Sequence, residues 1–183
     1  MKVEKTSFED LLVLSPAVFN DNRGYFFESY NKNSFAQLGI SAQWVQDNQS
    51  HSLRGVIRGL HFQKAPHAQT KLVRVLQGEI LDVVVDLRKS QPTYGKAYSI
   101  ILSSENKMQL LVPKGFAHGF SVLSEAADVM YKCDAFYSKE SESGILYNDP
   151  SLAIDWKLSP QDINVSEKDL ILPSLAQTDA NFQ

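Results

Sequence analysis

Leu72-Val73-Arg74-Val75-Leu76, Gln77-Gly78-Glu79 and Ile80-Leu81-Asp82-Val83-Val84-Val85-Asp86-Leu87 follow one another near the middle of the chain. The first and third segments are rich in Val, Leu and Ile, the composition that favours β-strands. Gly78 lies in the polar segment between them, where it provides the backbone freedom that a tight turn requires. The pattern predicts a β-hairpin whose two strands are joined through Gly78.

More short strands are predicted after this hairpin, separated by turn residues or charged clusters. They cover residues 97–102, 109–112, 119–123 and 129–136. Short strands at this spacing, with few helical stretches between them, are typical of an all-β sandwich or barrel. The sequence therefore predicts an all-β fold.

The N-terminal part of the chain continues the same pattern. Residues 11–19 and 25–30 predict a second hairpin around the turn-forming stretch Asn20-Asp21-Asn22-Arg23-Gly24. Residues 34–38 predict one or two helical turns that end at Gly39. Residues 43–48 are predicted to be extended. Near the C-terminus, Ser166 with Asp169 three residues on forms a weak capping box and predicts a short helix.

Composition excludes several classes of protein. A chain of 183 residues with 43% hydrophobic content can bury a full core, and residues 1–183 are predicted to form one domain. The net charge of -3 and the scattering of the 18 basic residues argue against nucleic-acid binding. Cys133 is the only cysteine, and no apolar run has the length of a membrane span or a signal peptide. These features predict a cytoplasmic protein.

The stretch Arg58-Gly59-Leu60-His61-Phe62-Gln63 carries the first candidate functional residues. It lies between two apolar runs, residues 56–57 and 72–73, so we expect its polar groups at strand ends within a hydrophobic frame. Three residues apart on an extended chain, Arg58 and His61 are predicted to point to opposite faces. One of them could then serve a cavity while the other reaches its rim. Two ordinary surface residues are an equal alternative.

Two histidine motifs resemble those of a known superfamily. Gly55 is followed after five residues by His61, and Pro113-Lys114-Gly115-Phe116-Ala117-His118 contains Pro-x-Gly-x-x-His. Both patterns are similar to the signature motifs of the cupins, small barrels in which facing strands bring two histidines into one pocket. The resemblance implies a cupin-type jelly-roll barrel, also called a double-stranded β-helix, with a few short helices mainly near the C-terminus.

The first motif departs from that of metal-binding cupins at one position. Those proteins carry His-x-His with a downstream Glu, whereas this chain has Gln63 in place of the second histidine. Two imidazoles and a neutral amide match a divalent metal poorly, because such a site takes several histidines and a carboxylate. The sequence therefore predicts a pocket without a metal or another cofactor.

At finer detail the whole chain resembles the dTDP-4-dehydrorhamnose 3,5-epimerase family, which uses the cupin barrel without a metal. The matching motifs follow the family's order from near residue 10 to near residue 170. They are Asp21-x-Arg23-Gly24-x-Phe26-x-Glu28-x-Tyr30, Val45-Gln46-Asp47-Asn48-x-Ser50, Arg58-Gly59-Leu60-His61-Phe62-Gln63, Lys71-Leu72-Val73-Arg74, Asp82-Val83-x-Val85-Asp86-x-Arg88, Pro113-x-Gly115-Phe116-Ala117-His118-Gly119-Phe120, Tyr131-Lys132 and Asn148-Asp149-Pro150.

The resemblance implies an epimerisation at C3 and C5 of dTDP-4-dehydro-6-deoxy-D-glucose, on the route to dTDP-L-rhamnose. The C4 carbonyl acidifies the protons on both carbons, so the reaction needs a base, an acid and a group that stabilises an enolate. His61 matches the family's base, and Tyr131 matches its acid. Lys71 matches the residue beside the sugar carbonyl. Asp169 matches the carboxylate that orients the base.

Each of these residues also has a structural interpretation. Asp169 could be a solvent-exposed carboxylate at a helix end, and Asp82 is its rival as the partner of His61. Lys71 could be a strand-edge lysine that discourages aggregation. Tyr131 could be a core tyrosine. His118 is expected close to the keto sugar, although it could instead be bonded to the barrel wall.

Further residues match family positions that bind the substrate. Arg23 and Arg58 are expected to contact the diphosphate, since a guanidinium fork suits phosphate oxygens. Phe26 and Tyr137 could stack on the thymine ring. The remaining members of the set are Glu28, Gln46, Asn48, Glu142 and Lys168. In the family the N-terminal strands cross to a partner subunit, which implies an obligatory homodimer whose sites share Arg23, Phe26 and Glu28.

Three alternatives stay open at this point. Members of the family that epimerise only C3 share this residue set. A non-catalytic cupin would be expected to lack a base or an acid. A metal-dependent cupin would lose its activity in a chelator.

Overall fold

The computed structural model describes all 183 residues, and most of its ordered structure consists of short strands. The strands are β1 (Lys2–Lys5), β2 (Leu12–Ser15), β3 (Phe19–Asp21), β4 (Gly24–Phe26), β5 (Gln46–Leu53), β6 (Val56–Gln63), β7 (Lys71–Gln77), β8 (Glu79–Asp86), β9 (Ala97–Ser103), β10 (Gln109–Val112), β11 (Phe116–Val122), β12 (Ala126–Cys133), β13 (Glu142–Gly144) and β14 (Asn164–Val165). The helices are α1 (Lys32–Gln37), α2 (Glu167–Leu170) and the 3₁₀ turns Pro160–Asp162 and Leu175–Gln177. None of the helices is long and apolar enough to span a membrane.

Two main sheets form the body of the molecule. The first has the strand order β1-β2-β10-β7-β12-β5, and the second has the order β13-β6-β11-β8-β9 with β14 parallel to β6. Apart from that short contact, the pairings within these sheets are antiparallel. This arrangement confirms the predicted all-β class, and it places β5 at the edge of the first sheet.

The largest apolar cluster contains inward-facing residues of both sheets. Val73 and Val129 from the first sheet belong to it together with Val84 and Phe120 from the second. A second cluster covers the outer face of the second sheet, where the C-terminal segment contributes Trp156 and other side chains. The C-terminal segment is thereby packed against the second sheet, and it returns to β6 at β14 and α2.

The predicted hairpin at Gly78 is wrong, although both of its strands form. β7 pairs with β10 and β12, whereas β8 pairs with β11 and β9, so the two strands lie in different sheets. Nearly every residue of β8 is buried, because one face of the strand contributes to the inner cluster and the other face to the outer cluster. A strand covered on both faces fits the middle of a sheet. Gly78 is therefore the corner at which the chain changes sheets.

Gly78→Ala is expected to lower the free energy of unfolding more than the same substitution at a turn glycine elsewhere. Gly78 has φ +80, and a Cβ atom there would lie 2.1 Å from the backbone oxygen of Ala126. Gly39 has nearly the same φ, +81, with nothing within 4 Å, so Gly39→Ala isolates the backbone cost of roughly 1 to 2 kcal/mol. Overpacking at Gly78 should add roughly 1 to 3 kcal/mol. Urea unfolding of both variants measures the difference, and equal losses would contradict the corner geometry.

The N-terminal hairpin is confirmed in a shorter form. β3 and β4 pair antiparallel around the turn at Asn22 and Arg23. β2 ends before Pro16 and joins the first sheet instead, and the strand predicted to reach residue 30 ends at Phe26. We call residues 19–26 the ribbon. It is not part of either main sheet, and Phe26 is 70% exposed.

The other predicted elements form close to their expected positions. α1 ends before Gly39, whose φ of +81 suits a glycine at a helix end. The predicted strands at 97–102, 109–112, 119–123 and 129–136 correspond to β9 to β12, with shifts of a few residues at some ends. The extended segment predicted at 43–48 becomes a strand only from Gln46.

Candidate active site

A cleft between the two sheets brings the predicted catalytic residues together. One cavity of about 470 Å³ is lined by Arg58, His61, Lys71, His118, Tyr131, Lys168 and Asp169, together with Ser50, Val56, Ile57, Gly119, Phe120, Asn164 and Ser166. An adjoining cavity of about 290 Å³ contains Gln46, Asn48, Tyr137 and Glu142. His61, Lys71 and Tyr131 line both cavities and therefore lie where they meet. β6 and β11 form one wall, and β5, β7 and β12 form the other.

His61 is held by Asp169 and not by its rival Asp82. The His61 Nε2 atom lies 2.7 Å from Asp169 Oδ1, and Asp169 Oδ2 accepts a hydrogen bond of 3.2 Å from the Gly59 backbone N–H. Asp169 is buried, whereas the His61 ring is 32% exposed. Since the contact uses Nε2, the Nδ1 atom of His61 is left free of protein hydrogen bonds and available to a ligand.

The local structure of α2 explains how Asp169 reaches this position. Ser166 caps the helix, and its hydroxyl accepts a hydrogen bond from the Asp169 backbone N–H. The predicted capping box is thus present in one direction only, because the Asp169 carboxylate turns toward His61. Burial raises the pKa of this carboxyl, but the bonds from His61 and Gly59 outweigh burial and bring the pKa below its ordinary value. Asp169 is therefore an anion at neutral pH.

Arg58 and His61 line the same cavity, so the prediction that they face opposite sides is wrong. His118 pairs with His61 and Phe120 pairs with Arg58, which leaves one residue on β11 opposite two on β6. This β-bulge inserts an extra residue and returns both side chains to one face. The prediction of strand ends is also wrong, because Arg58 and His61 lie within β6.

Glycines make this irregular pairing possible. A Cβ atom at Gly119 would lie 2.6 Å from the backbone oxygen of Arg58, so β6 and β11 approach too closely there for any side chain. Arg58 is exposed at the cavity mouth, and its Nε donates a 2.9 Å hydrogen bond to Ser52 Oγ on β5. That bond connects the second sheet to the edge strand of the first.

Lys71 and Tyr131 form the opposite wall. The Lys71 Nζ atom lies 5.7 Å from the centre of the Tyr131 ring. Burial lowers the pKa of the Lys71 ammonium, while Cys133, Asp82 and Glu142 raise it again in part. Burial is also the main reason why the pKa of the Tyr131 phenol is raised, so the phenol keeps its proton at neutral pH. The wall therefore offers the partly buried amine of Lys71 beside a protonated phenol.

His118 forms a second histidine–carboxylate pair in the cleft. Its Nε2 atom lies 2.7 Å from Asp82 Oδ1, and both side chains are almost completely buried. Asp82 is thus the partner of His118, a contact that the sequence reasoning missed. Spacing along one chain cannot match two histidines to two distant aspartates.

The position of Gln63 explains why it does not join the two histidines. Its Nε2 donates to the backbone oxygens of His67 and Phe136, and its Oε1 accepts a 2.6 Å bond from the Ser138 N–H. The side chain is buried and connects two loops. No group of three or more His, Cys, Asp or Glu side chains is arranged to hold a metal ion.

Polar side chains connect the larger cavity with the adjoining one at the mouth of the cleft. Lys168 Nζ lies 2.7 Å from Glu142 Oε1, and the Tyr137 hydroxyl donates a 2.8 Å bond to Glu142 Oε2. Gln46 binds both Asn48 and the Tyr137 backbone N–H. All five residues were predicted to contact substrate. Four of them line the adjoining cavity, and Lys168 lines the larger one and reaches them through Glu142.

The predicted binding residues in the ribbon and just after it are not brought into this cleft. Arg23 pairs with Asp21 in the ribbon turn, and Phe26 is exposed. Glu28 accepts hydrogen bonds from Asn31 and Ser34 at the start of α1. None of the three predicted binding residues lines either cavity of its own chain.

Comparison with known proteins places the chain in a family. The family model described as dTDP-4-dehydrorhamnose 3,5-epimerase matches residues 5–177. An enzyme of that name from Shigella flexneri is 52% identical over 170 residues, which cover 90% of this chain and 94% of the relative.

Solved structures agree with this result. A dTDP-4-dehydrorhamnose 3,5-epimerase from Elizabethkingia anophelis NUHP1 superposes with a TM-score of 0.93 at 52% identity, over 98% of each chain. An epimerase from Legionella pneumophila, solved in complex with dTDP-4-keto-L-rhamnose, gives a TM-score of 0.94 at 45% identity, over 100% of this chain and 98% of that one. The predicted cupin-type jelly-roll fold and the predicted isomerase class are confirmed. The chain belongs to the dTDP-4-dehydrorhamnose 3,5-epimerase family, whose members act on dTDP-sugars.

Proposed function

We propose that the cleft epimerises C3 and C5 of dTDP-4-dehydro-6-deoxy-D-glucose and that His61 is the base for the reaction. One observation carries the proposal. A carboxylate-bound histidine on the second sheet faces a protonated phenol, Tyr131, on the first sheet across a single cavity. A base and an acid on opposite walls suit a reaction that removes a proton from one face of a ring and replaces it from the other.

The first step removes a proton from C3 or C5. His61 accepts this proton on its free ring nitrogen, and the electron pair of the broken C–H bond moves into the C4 carbonyl to give an enolate. Asp169 stabilises the positive charge that the ring acquires and holds its orientation. Lys71 lies beside the enolate oxygen and stabilises its negative charge, and His118 assists from the facing wall.

The second step returns a proton to the opposite face. The enolate carbon takes the proton of the Tyr131 hydroxyl, and the C4 carbonyl forms again. A phenol with a raised pKa is a weak acid, but an enolate carbon is basic enough to accept its proton. Solvent then takes the proton from His61 and returns one to the Tyr131 phenolate, and the same two steps at the other carbon give the 3,5-inverted 4-keto sugar.

The product and its dependence on metal test this function. The protein is incubated with dTDP-4-dehydro-6-deoxy-D-glucose, and the ring protons of the released nucleotide sugar are assigned by NMR. We expect inversion at both carbons, at a rate that EDTA treatment leaves unchanged. Inversion at C3 alone would favour an epimerase that acts only at C3. Activity that is lost in EDTA and restored by a divalent metal would favour a metal-dependent cupin. No conversion would favour a non-catalytic binding module.

Asp169→Asn is expected to lower kcat by on the order of 10²- to 10⁴-fold. The amide keeps the size of the side chain but cannot stabilise a positive imidazole ring. Steady-state kinetics with the 4-keto sugar measure the change. Asp162→Asn removes an exposed carboxylate from the same C-terminal segment and should leave kcat unaltered. Equal activity of the Asp169→Asn enzyme and the wild type would remove Asp169 from the proposal.

The diphosphate and nucleotide are proposed to occupy the mouth of the cleft. Arg58 and Lys168 are cationic groups on its rim, and Tyr137 offers an exposed ring to the thymine. Gln46, Asn48 and Glu142 supply further hydrogen-bonding groups in the adjoining cavity.

A homodimer in which each ribbon enters the partner's site is also proposed. The ribbon leaves Phe26 exposed, and Arg23 in the ribbon and Glu28 just after it lie outside their own cleft, which supports this arrangement. Arg23→Ala and His61→Asn chains would each be inactive alone. Unfolding and refolding the two together should restore activity, because mixed dimers contain one site with both groups intact. No recovery would mean that the ribbon serves its own chain or none.

Residues 1–183 are proposed to form one catalytic domain that acts in the cytoplasm without nucleic acid or a cofactor. The two largest apolar clusters are built on the two main sheets, which supports a single domain. Cys133, the only cysteine, is a buried free thiol, which suits a reducing compartment.

A further inference from the structure

The buried pair of His118 and Asp82 has a feature that packing alone does not explain. Asp82 is 0% exposed, yet only one of its two carboxylate oxygens, Oδ1, is hydrogen-bonded to the protein. The other oxygen, Oδ2, is buried without a partner. A buried carboxylate with an unsatisfied oxygen destabilises a fold, so its position in β8 calls for a compensating role.

The sheet places Asp82 and His118 side by side. On β11, His118 lies opposite Val84 of β8, and Phe120 lies opposite Asp82. Asp82 is therefore diagonal to His118 on the same face of the sheet, the face toward the inner cluster. Because Asp82 holds Nε2, the Nδ1 atom of His118 is the ring nitrogen left for a ligand in the cleft.

Lys71 lines the same cavity as His118 from the opposite wall, and Asp82 is the carboxylate near it that pairs with no lysine or arginine. Glu142 already pairs with Lys168 at 2.7 Å, and burial raises the pKa of the Cys133 thiol, which is therefore mostly neutral. The titratable and charged groups that face the Lys71 site are His61, Asp82, His118, Tyr131, Cys133, Glu142 and, farther along the cavity, Arg58, Lys168 and Asp169.

We propose that Asp82 is a positioning residue for the enolate-stabilising groups: it fixes the ring of His118 and is the counter-ion that keeps Lys71 charged in the buried cleft. This inference rests on the proposed function, in which Lys71 and His118 act on the sugar carbonyl oxygen. An ammonium that loses its proton cannot stabilise an enolate, so the counter-ion sets the upper pH at which the enzyme works.

Asp82→Asn tests the inference because an amide keeps the shape of the side chain and an oxygen for His118 while it removes the charge. We expect the alkaline limb of the kcat profile to move to lower pH by about one to two units. KM should change little, since the groups affected act on charge that develops during the reaction. NMR titration of the Lys71 ammonium should show the same displacement, independently of activity.

Two more variants provide the controls. Asp82→Glu retains the charge, so its alkaline limb should stay near that of the wild type even where kcat falls, and it still tests the counter-ion if Asp82→Asn does not fold. Asp47→Asn removes an exposed carboxylate that pairs with Lys132 on the far side of β5 and β12, and its profile should match the wild type.

The outcomes separate the inference from the function on which it rests. The inference would be overturned if Asp82→Asn had the same alkaline limb and the same Lys71 titration as the wild type. A displaced alkaline limb in Asp82→Glu would overturn it as well. In both cases turnover by the wild type leaves the function intact. Failure of the wild type to convert the 4-keto sugar would instead overturn the function, and the Lys71 titration would still report whether Asp82 is its counter-ion.

Discussion

His61→Asn is expected to abolish measurable epimerisation, with a loss in kcat on the order of 10²- to 10⁴-fold or more. The substitution removes the ring nitrogen proposed to take the proton from both carbons. Imidazole is suited to this step because it can take up and release a proton near neutral pH. Asn retains a polar group that can still meet Asp169, so the cleft should keep its shape.

The kinetic measurement for this variant needs a control for the loss of a histidine. His67→Asn changes an exposed histidine on the loop six residues downstream, whose side chain makes no hydrogen bond with the protein. Its kcat should equal that of the wild type, and urea unfolding should show both variants folded. A His61→Asn enzyme with kcat within a few-fold of the wild type would assign the base to another residue.

Lys71→Met is expected to lower kcat by on the order of 10²- to 10³-fold with little change in KM. Met has a similar length but carries no charge, so the enolate oxygen would lose the cation proposed to stabilise it. The loss falls on kcat because the negative charge exists only after the proton has left the sugar. Lys71 is partly buried beside Tyr131, and its Nζ atom lies 5.7 Å from the centre of the Tyr131 ring.

Lys96→Met is the matched control for this prediction. Lys96 is exposed between β8 and β9 and forms no side-chain hydrogen bond, so its replacement should leave kcat and KM unaltered. A Lys71→Met enzyme whose KM rises while kcat is retained would show that Lys71 binds the substrate and does not stabilise the enolate.

The strands of the fold could be predicted because their apolar residues and turn signals are local. The pairing of those strands could not be predicted from the same signals. A glycine between two apolar runs is compatible with a hairpin and with a corner between sheets. The distinction depends on whether both faces of β8 are covered, and the covering residues lie in distant parts of the chain, such as Phe120 and Trp156.

The candidate site shows the same division. The resemblance to the family identified His61, Lys71, Tyr131 and Asp169, and the structure brings all four into one cleft. The open choice between two aspartates needed the fold, because Asp169 reaches His61 from a helix 108 positions along the chain. Asp82 then proved to be the partner of His118.

The alternation of side chains along a strand could not predict that Arg58 and His61 line the same cavity. One unpaired residue in the β6–β11 pairing reverses the alternation, and the close approach that it requires is visible only in the contact between Gly119 and the backbone of Arg58. The predicted contacts of the ribbon differ from those of the other site residues, because they are made with the cleft of another copy of the chain.

Incorporation of solvent deuterium at the two ring carbons is the most direct test of the central claim. Wild-type enzyme is incubated with dTDP-4-dehydro-6-deoxy-D-glucose in D₂O, and C3 and C5 are followed by NMR. Removal of both protons through an enolate in one cleft predicts deuterium at C3 and at C5. Deuterium at C3 alone, or at neither carbon, would contradict it.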